Sequence, residues 1–272
     1  MLNPRTPDMG HWTQDVGQIE GRYLYCIVEG DETANLGSIG IDGNEVYAIS
    51  YKDLLAFVHN CSTEPYRSED EEIVKEWIVT HQNVVDAAWK KFGTVLPMGF
   101  DTIIKGDEIA DPEENMKKWL TEDYENLKTK LEKVRGKAEY GVQISWDPET
   151  MAQKVIKESA EMNKLNEDIK SKPEGTAYMY RQKLEDLLKK EMEKKADKYF
   201  KVFYGEVKPY AGDLKVEKTK KTDDESKQML MNLSCLMSHD ESRKLGNKLD
   251  EIDTLEGFSV RYTGPWPPYS FV

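Results

Sequence analysis

Histidine is nearly absent from this chain of 272 residues: there are 4, at His11, His59, His81 and His239. They are scattered and form no HExxH, so the commonest helix-borne zinc centre has no sequence basis. Cysteine is scarcer still. Cys26, Cys61 and Cys235 lie far apart, with no CxxC pair and no count that closes a disulfide framework, which fits a reducing compartment. Cys26 and Cys235 sit inside apolar runs, where a free thiol is ordinarily a small buried hydrophobe. No glycine-rich loop runs into Lys-Ser or Lys-Thr, and no GxGxxG follows the first apolar segment. The fingerprints of phosphate-loop and dinucleotide folds are therefore missing. No apolar run approaches the roughly 18 residues that a spanning helix requires.

Positive charge is the minority sign. Lys plus Arg number 38 against 51 Asp plus Glu, a net charge of −13, and only 7 of the 38 cations are arginine. This balance argues against a nucleic-acid backbone or an anionic membrane as the main partner. Hydrophobic residues make up 38% and charged residues 33%, a composition of solvated helices around normally apolar strands. The length suits two small domains. Residues 1–21 lack the apolar centre of a signal peptide and, with Pro4, Pro7, Gly10, Gly17 and Gly21, are expected to form a flexible leader.

What is present alternates between strand and helix patterns. Arg22–Val28, β-branched and aromatic between Gly21 and Gly30, predicts a buried strand. Val46–Ser50 and Leu54–Val58 predict two more across a short turn. A helix is expected from about Ser68 to Gly93, with Ile73, Trp77, Val84, Val85, Ala88 and Trp89 at helical spacing. Thr94–Pro97 predicts a short strand leading into the loop Met98-Gly99-Phe100-Asp101. Asp111-Pro112 opens a helix whose stripe runs from Met116 to Leu131.

A second half restarts near Ala138. Tyr140–Trp146 alternates as a half-buried strand, and Asp147-Pro148 opens a helix carrying Met151, Val155, Ile156 and Met162. After a break at Ser171–Gly175 comes a long helix from Ala177 to Phe203 with a solvated, mixed-charge face. Leu214–Glu217, Gln228–Met237 and Phe258–Tyr262 predict strands, with a charged hairpin from Lys218 to Glu225 and a helix capped by Ser238. The order β, α, β, β, α, β is that of a split βαβ, ferredoxin-like unit. The expected organisation is a leader (1–21), an N-terminal α+β domain (22–135), a C-terminal ferredoxin-like domain (136–263) with a helical insertion (173–205), and an aromatic, proline-rich tail (264–272). The N-terminal sheet reads as a modified ferredoxin-like arrangement.

Reactive constellations are few. His239 beside Asp240 reads as a helix start with acidic residues in its first turn. His81, between Trp77 and Val85, reads as a satisfied half-buried histidine rather than a haem or metal ligand. Glu113-Glu114 and Asp223-Asp224-Glu225 read as solvated charge. The tail Thr263–Val272 holds Trp266, Tyr269 and Phe271, more aromatic area than an undocked segment usually carries.

Several motifs together carry a family likeness: Tyr23-Leu-Tyr-Cys-Ile-Val28, His81, Thr94-Val-Leu-Pro-Met-Gly-Phe100, Glu139-Tyr-Gly-Val-Gln-Ile144, Gly175-Thr-Ala-Tyr-Met-Tyr-Arg-Gln-Lys183 and, most specific, Gly264-Pro-Trp-Pro-Pro-Tyr-Ser-Phe271. From Arg22 to Val272 the chain resembles the gas vesicle protein F/L family. The loop after Pro97 departs from that pattern, with Gly99 and Asp101 where many members carry a basic residue and a glycine. The resemblance implies two α+β domains and a non-enzymatic, cytoplasmic, shell-associated accessory protein. Its partners would be the very hydrophobic main shell protein and other accessory proteins of gas vesicle formation. It implies no catalytic, cofactor or metal residues. Candidate partner contacts are Met98, Phe100, Trp266, Tyr269 and Phe271. A competing reading is a small-ligand or haem-binding α+β barrel using His81 or His239.

Overall fold

A computed structural model of the chain describes residues 21–31, 34–107 and 109–272; the expected leader lies outside them as far as residue 20. The architecture is α+β with two separate sheets. The chain divides into two compact units, Met1–Leu131 and Glu132–Val272.

In the first unit, strands β1 (Gly21–Glu29), β2 (Asn35–Gly37), β3 (Val46–Tyr51), β4 (Leu54–Cys61) and β5 (Leu96–Pro97) lie in the order β2-β3-β4-β1-β5. A sixth, β6 (Ile103–Lys105), also pairs with β1. Leu24, Tyr25, Cys26, Ile27 and Val28 of β1 are all buried, so this central strand reads as a continuous apolar run. A bulge interrupts its pairing with β4: Leu24 faces Val58, Cys26 faces Phe57, and Tyr25 is the extra residue. The bulge breaks strict alternation. It places Tyr23, Tyr25, Cys26 and Val28 in one cluster with Leu55 and Phe57 of β4 and with Val84, Val85 and Ala88 of helix α1 (Glu71–Phe92).

Helix α1 begins where the Asp70 carboxylate accepts the Glu72 N–H (2.9 Å). It ends at Gly93, whose φ of +75° is the left-handed cap conformation glycine adopts freely. The helix expected from Asp111 onward is two helices, α2 (Pro112–Glu122) and α3 (Tyr124–Val134). They part at Asp123, whose carboxylate accepts the Asn126 side-chain N–H groups (3.0 and 3.2 Å). The break is in the backbone angles of Asp123 (φ −101°, ψ 10°), while the bonds Asp123 N–H to Trp119 and Leu127 N–H to Asp123 carry across it. Lys128 of α3 pairs with Glu29 and Asp53, and the Tyr124 hydroxyl donates to Asp53 (2.6 Å), which ties α3 to the β1 and β4 ends.

In the second unit, β7 (Ala138–Trp146), β8 (Asp213–Val216), β9 (Gln228–Met237) and β10 (Phe258–Trp266) form an antiparallel sheet in the order β10-β7-β9-β8. Tyr140, Val142 and Ile144 of β7 and Met231, Leu233 and Cys235 of β9 form its buried face. Helix α7 (His239–Asp253) starts with a full capping box between Ser238 and Glu241. The helix expected after Asp147 is again two, α4 (Pro148–Glu158) and α5 (Ala160–Ser171), because Ser159 ends one and caps the other through Met162 N–H (3.3 Å). Helix α6 (Glu174–Val207) has 34 residues, about 50 Å of helix. It returns along α5 over a core of Val155, Met162, Leu165 and Leu184. Among the described residues no helix is long and apolar enough to cross a membrane.

Candidate functional site

The loop Met98–Asp101 closes over a polar core that is built from aromatic hydroxyls and imidazoles. Tyr23 and Tyr25 enter it from β1, His59 from β4, directly opposite Tyr23, and His81 from α1. All four side chains are buried. The Asp101 N–H donates to the Tyr23 hydroxyl (3.0 Å), which meets His81 Nδ1 (2.9 Å), while His81 Nε2 meets the Met98 carbonyl (3.1 Å). A carbonyl only accepts, so Nε2 carries a proton. With the ring neutral, Nδ1 accepts from Tyr23. A second relay runs beside it. The Ile41 N–H donates to the Tyr25 hydroxyl (2.9 Å), which meets His59 Nδ1 (2.7 Å), and His59 Nε2 meets the Tyr66 hydroxyl (2.9 Å).

Burial dominates the electrostatics of this core. It pushes His59 and His81 down to about 4, the His59 shift being opposed by Asp42 and the His81 shift by its bond to Met98. It pushes the Tyr23, Tyr25 and Tyr66 hydroxyls far up. The Cys61 thiol rises to about 11 and, in the sheet of the second unit, that of Cys235 to about 12, both through burial. At neutral pH these groups are therefore uncharged imidazoles, phenols and thiols, poor as proton shuttles or nucleophiles. Both ring nitrogens of His81 are occupied by Tyr23 and Met98, which leaves no lone pair for a haem iron. His239 is exposed at the start of α7. Among the described residues, no three His, Cys, Asp or Glu side chains are placed to hold a metal ion.

Met98 and Phe100 form the roof of this core. The Met98 N–H donates to the Tyr25 carbonyl (2.9 Å), and half-buried Phe100 packs edge-on against Tyr23, His81 and Tyr66 with ring centroids 6.1–6.5 Å apart. Asp101, at φ +67°, accepts the Tyr66 N–H on its carboxylate (2.9 Å). The loop is pinned at every residue that could present a side chain.

The tail residues gather in the second unit. β10 runs on through Pro265 to Trp266, which pairs with Glu139 after a shift in register. An edge strand tolerates such a proline. Gly264, at φ +117°, passes so close that a Cβ would sit 2.8 Å from the Glu139 carbonyl. The Glu139 carboxylate then grips the tail twice, accepting the Ser270 N–H (2.8 Å) and hydroxyl (2.6 Å). Phe271 is 4% exposed, with the Lys133 and Lys215 ammonium groups each 5.7 Å from its ring centre. Trp266, by contrast, is 53% exposed, and Tyr269 is also exposed. The five expected contacts thus form two groups, Met98 with Phe100 and Trp266 with Tyr269 and Phe271, and the two most exposed are Trp266 and Tyr269.

Comparison with known proteins gives the chain's family. The family model described as gas vesicle synthesis protein GvpL/GvpF matches residues 21–272. This chain belongs to that family. Gas vesicle protein L1 of Halobacterium salinarum is 34% identical over 92% of this chain and 90% of its own length. Gas vesicle protein L of Haloferax mediterranei is 28% identical over 93% and 87%. The crystal structure of the gas vesicle protein GvpF from Anabaena sp. superposes with a TM-score of 0.69 at 21% identity, covering 93% of this chain and 98% of that one. That of GvpF from Microcystis aeruginosa gives 0.64 at 20%. The GvpL/GvpF membership places the chain among accessory proteins of gas vesicle formation, and the solved structures share its α+β fold.

The His59–Tyr66 half of the core is absent from the sequence-based expectations above. Tyr23-x-Tyr25 on one strand places two hydroxyls near one another, and His59 continues the period-two face of Leu55 and Phe57. Those two signals would have located the core.

Proposed function

We propose that this GvpL/GvpF member is a non-enzymatic accessory protein that binds the hydrophobic main shell protein while the shell is assembled, in the cytoplasm at the growing vesicle. One observation carries the reading. The tail is latched down by Glu139 and anchored by Phe271, yet leaves Trp266 53% and Tyr269 36% exposed. Rigid aromatics on a fixed backbone lose little conformational entropy on binding and bury a large area. A shell subunit before assembly exposes apolar surface and strand edges, which a strongly acidic partner can cover while keeping the complex in solution. Met98 and Phe100 serve this role indirectly, by holding the first unit's core closed.

The test is capture of the purified main shell protein by the wild-type chain and by Trp266→Ser/Tyr269→Ser and Phe271→Ala variants. The exposed pair is expected to lose binding with an unchanged melting temperature. Phe271→Ala is expected to lower the melting temperature, because it removes a buried ring. Undiminished capture by the Trp266/Tyr269 variant removes the proposed contact. No capture by the wild-type chain removes the proposed partner.

A further inference from the structure

The sheet of the second unit has two unlike faces. One, with Tyr140, Val142 and Ile144, is buried. The other is polar. Across the β7–β10 ladder Gln143 stands opposite Arg261, and Ser145 opposite Ser259. Directly paired residues share a face, so these four side chains form one patch. Met229 of β9, opposite Ser145, adjoins it. The β8–β9 hairpin folds over this patch. The Asn232 side chain donates to the Lys218 carbonyl (2.8 Å) and the Lys220 N–H to Met229 Sδ (3.3 Å). The Thr222 hydroxyl meets the Asp224 and Lys227 carbonyls (2.6 and 2.8 Å). Between sheet and hairpin lies a cavity of about 170 Å³, roughly the room of five or six water molecules.

The cavity is lined by hydrogen-bond donors that the fold does not use. Ser145 is 9% exposed, yet its hydroxyl has no partner among the described residues, and neither the Gln143 amide nor the Ser259 hydroxyl has one. A buried polar side chain is ordinarily paired, so an unpaired one facing a cavity marks a place for a polar ligand. Lys221 of the hairpin has no ion-pair partner among the described residues. Arg261 has one, Asp223, at 3.5 Å, and the Asp223 side chain is 98% exposed. The other lining carboxylate, Asp224, is engaged within the hairpin. It accepts the Ser226 N–H (3.0 Å) and hydroxyl (2.6 Å) and pairs with Lys227 (3.7 Å). With both carboxylates counted, two cations, two hydroxyls and a carboxamide stand against one carboxylate that solvent already surrounds.

We propose that this cavity binds a phosphate-sized oxyanion, free or carried on a larger molecule. The anion's oxygens accept from the Ser145 and Ser259 hydroxyls and the Gln143 amide on the sheet, and from Arg261 and Lys221 at the rim. Asp223 gives up its long contact with Arg261 when the anion enters. A guanidinium holds two oxygens of one anion at fixed spacing, which makes Arg261 the main anchor. Donors supplied by two strands and a loop suit a tetrahedral anion better than a planar carboxylate. The whole chain, at net −13, repels anions, so binding rests on this local geometry rather than on general attraction.

The experiment is a titration of the full chain with sodium phosphate, followed by calorimetry and amide NMR shifts, with ionic strength held at about 0.2 M by sodium chloride. Saturable binding with a dissociation constant of about 1 mM or tighter is expected, with shifts confined to β7, β10 and the hairpin. Arg261→Gln is expected to weaken binding at least about tenfold. Asp223→Asn is expected to tighten it, because it releases Arg261. Ser145→Ala leaves every charge in place and is expected to weaken binding about threefold or more, which separates a built site from attraction to surface cations. Melting temperatures verify that the variants are folded. O-phosphoserine serves as the second probe. Tighter binding of it than of phosphate makes the source a phosphorylated molecule, and the reverse makes it the free ion; both support the site. No saturation by either probe up to about 20 mM overturns the proposal. So do acetate binding as tightly as phosphate, Ser145→Ala binding like wild type, and Asp223→Asn binding no tighter.

Discussion

At the scale of single residues the molecule's unusual feature is the pair of buried imidazoles. Replacing Tyr23 by Phe would leave both the Asp101 N–H and His81 Nδ1 without the hydroxyl they share, and is expected to cost about 1–3 kcal/mol in chemical denaturation. The imidazoles also set an acid response. Burial holds His59 and His81 at about 4, below the ordinary histidine value of 6.5, so between those limits the unfolded chain binds more protons than the folded one. Stability is therefore complete above pH 6.5 and is expected to fall as the pH drops from 6.5 towards 4. That window precedes the one in which carboxylates such as Asp53, held low by Lys128, protonate. Thermal melts from pH 7.5 to 4 check it, and a melting temperature flat to pH 4.5 would contradict the buried-neutral assignment. Part of this site is legible in sequence: His81 between Trp77 and Val85 reads correctly as a satisfied histidine. His59 does not, because its partners Tyr25 and Tyr66 come together only through the pairing of β1 with β4 and a loop closure.

Among the elements, the long, strongly patterned ones follow the sequence closely. β9 occupies the predicted Gln228–Met237, and α1, expected from about Ser68 to Gly93, runs from Glu71 to Phe92 and ends at its glycine. The differences have local causes. Asp123 and Ser159 sit within continuous apolar stripes, and the stripe records burial, while the backbone kink at Asp123 and the side-chain cap of Ser159 leave no trace in periodicity. Asn35–Gly37 and Ile103–Lys105 are too short for any alternation to emerge and are strands only because β3 and β1 offer them an edge. The α5–α6 hairpin depends on a small core of its own. Leu184→Ala there is expected to cost about 2–5 kcal/mol locally. In hydrogen exchange it should raise the rates of α5 and the start of α6 while β9 amides keep their protection; uniform loss of protection would show instead that the hairpin unfolds only with the whole unit.

For the whole molecule, the charge of −13 is the excess of 51 carboxylates over 38 lysines and arginines. The bulge in β1 has a consequence for reading the chain's history. In a regular strand, gaining or losing one residue exchanges inside for outside. Here the extra residue, Tyr25, already performs that exchange midway, so that Tyr23 upstream and Cys26 and Val28 downstream share a face. An aligner that opens a one-residue gap between Tyr23 and Val28 would record a minor length variant. Physically, such a relative would have turned the remainder of its central strand inside out, or would have lost one of its two hydroxyl–imidazole relays.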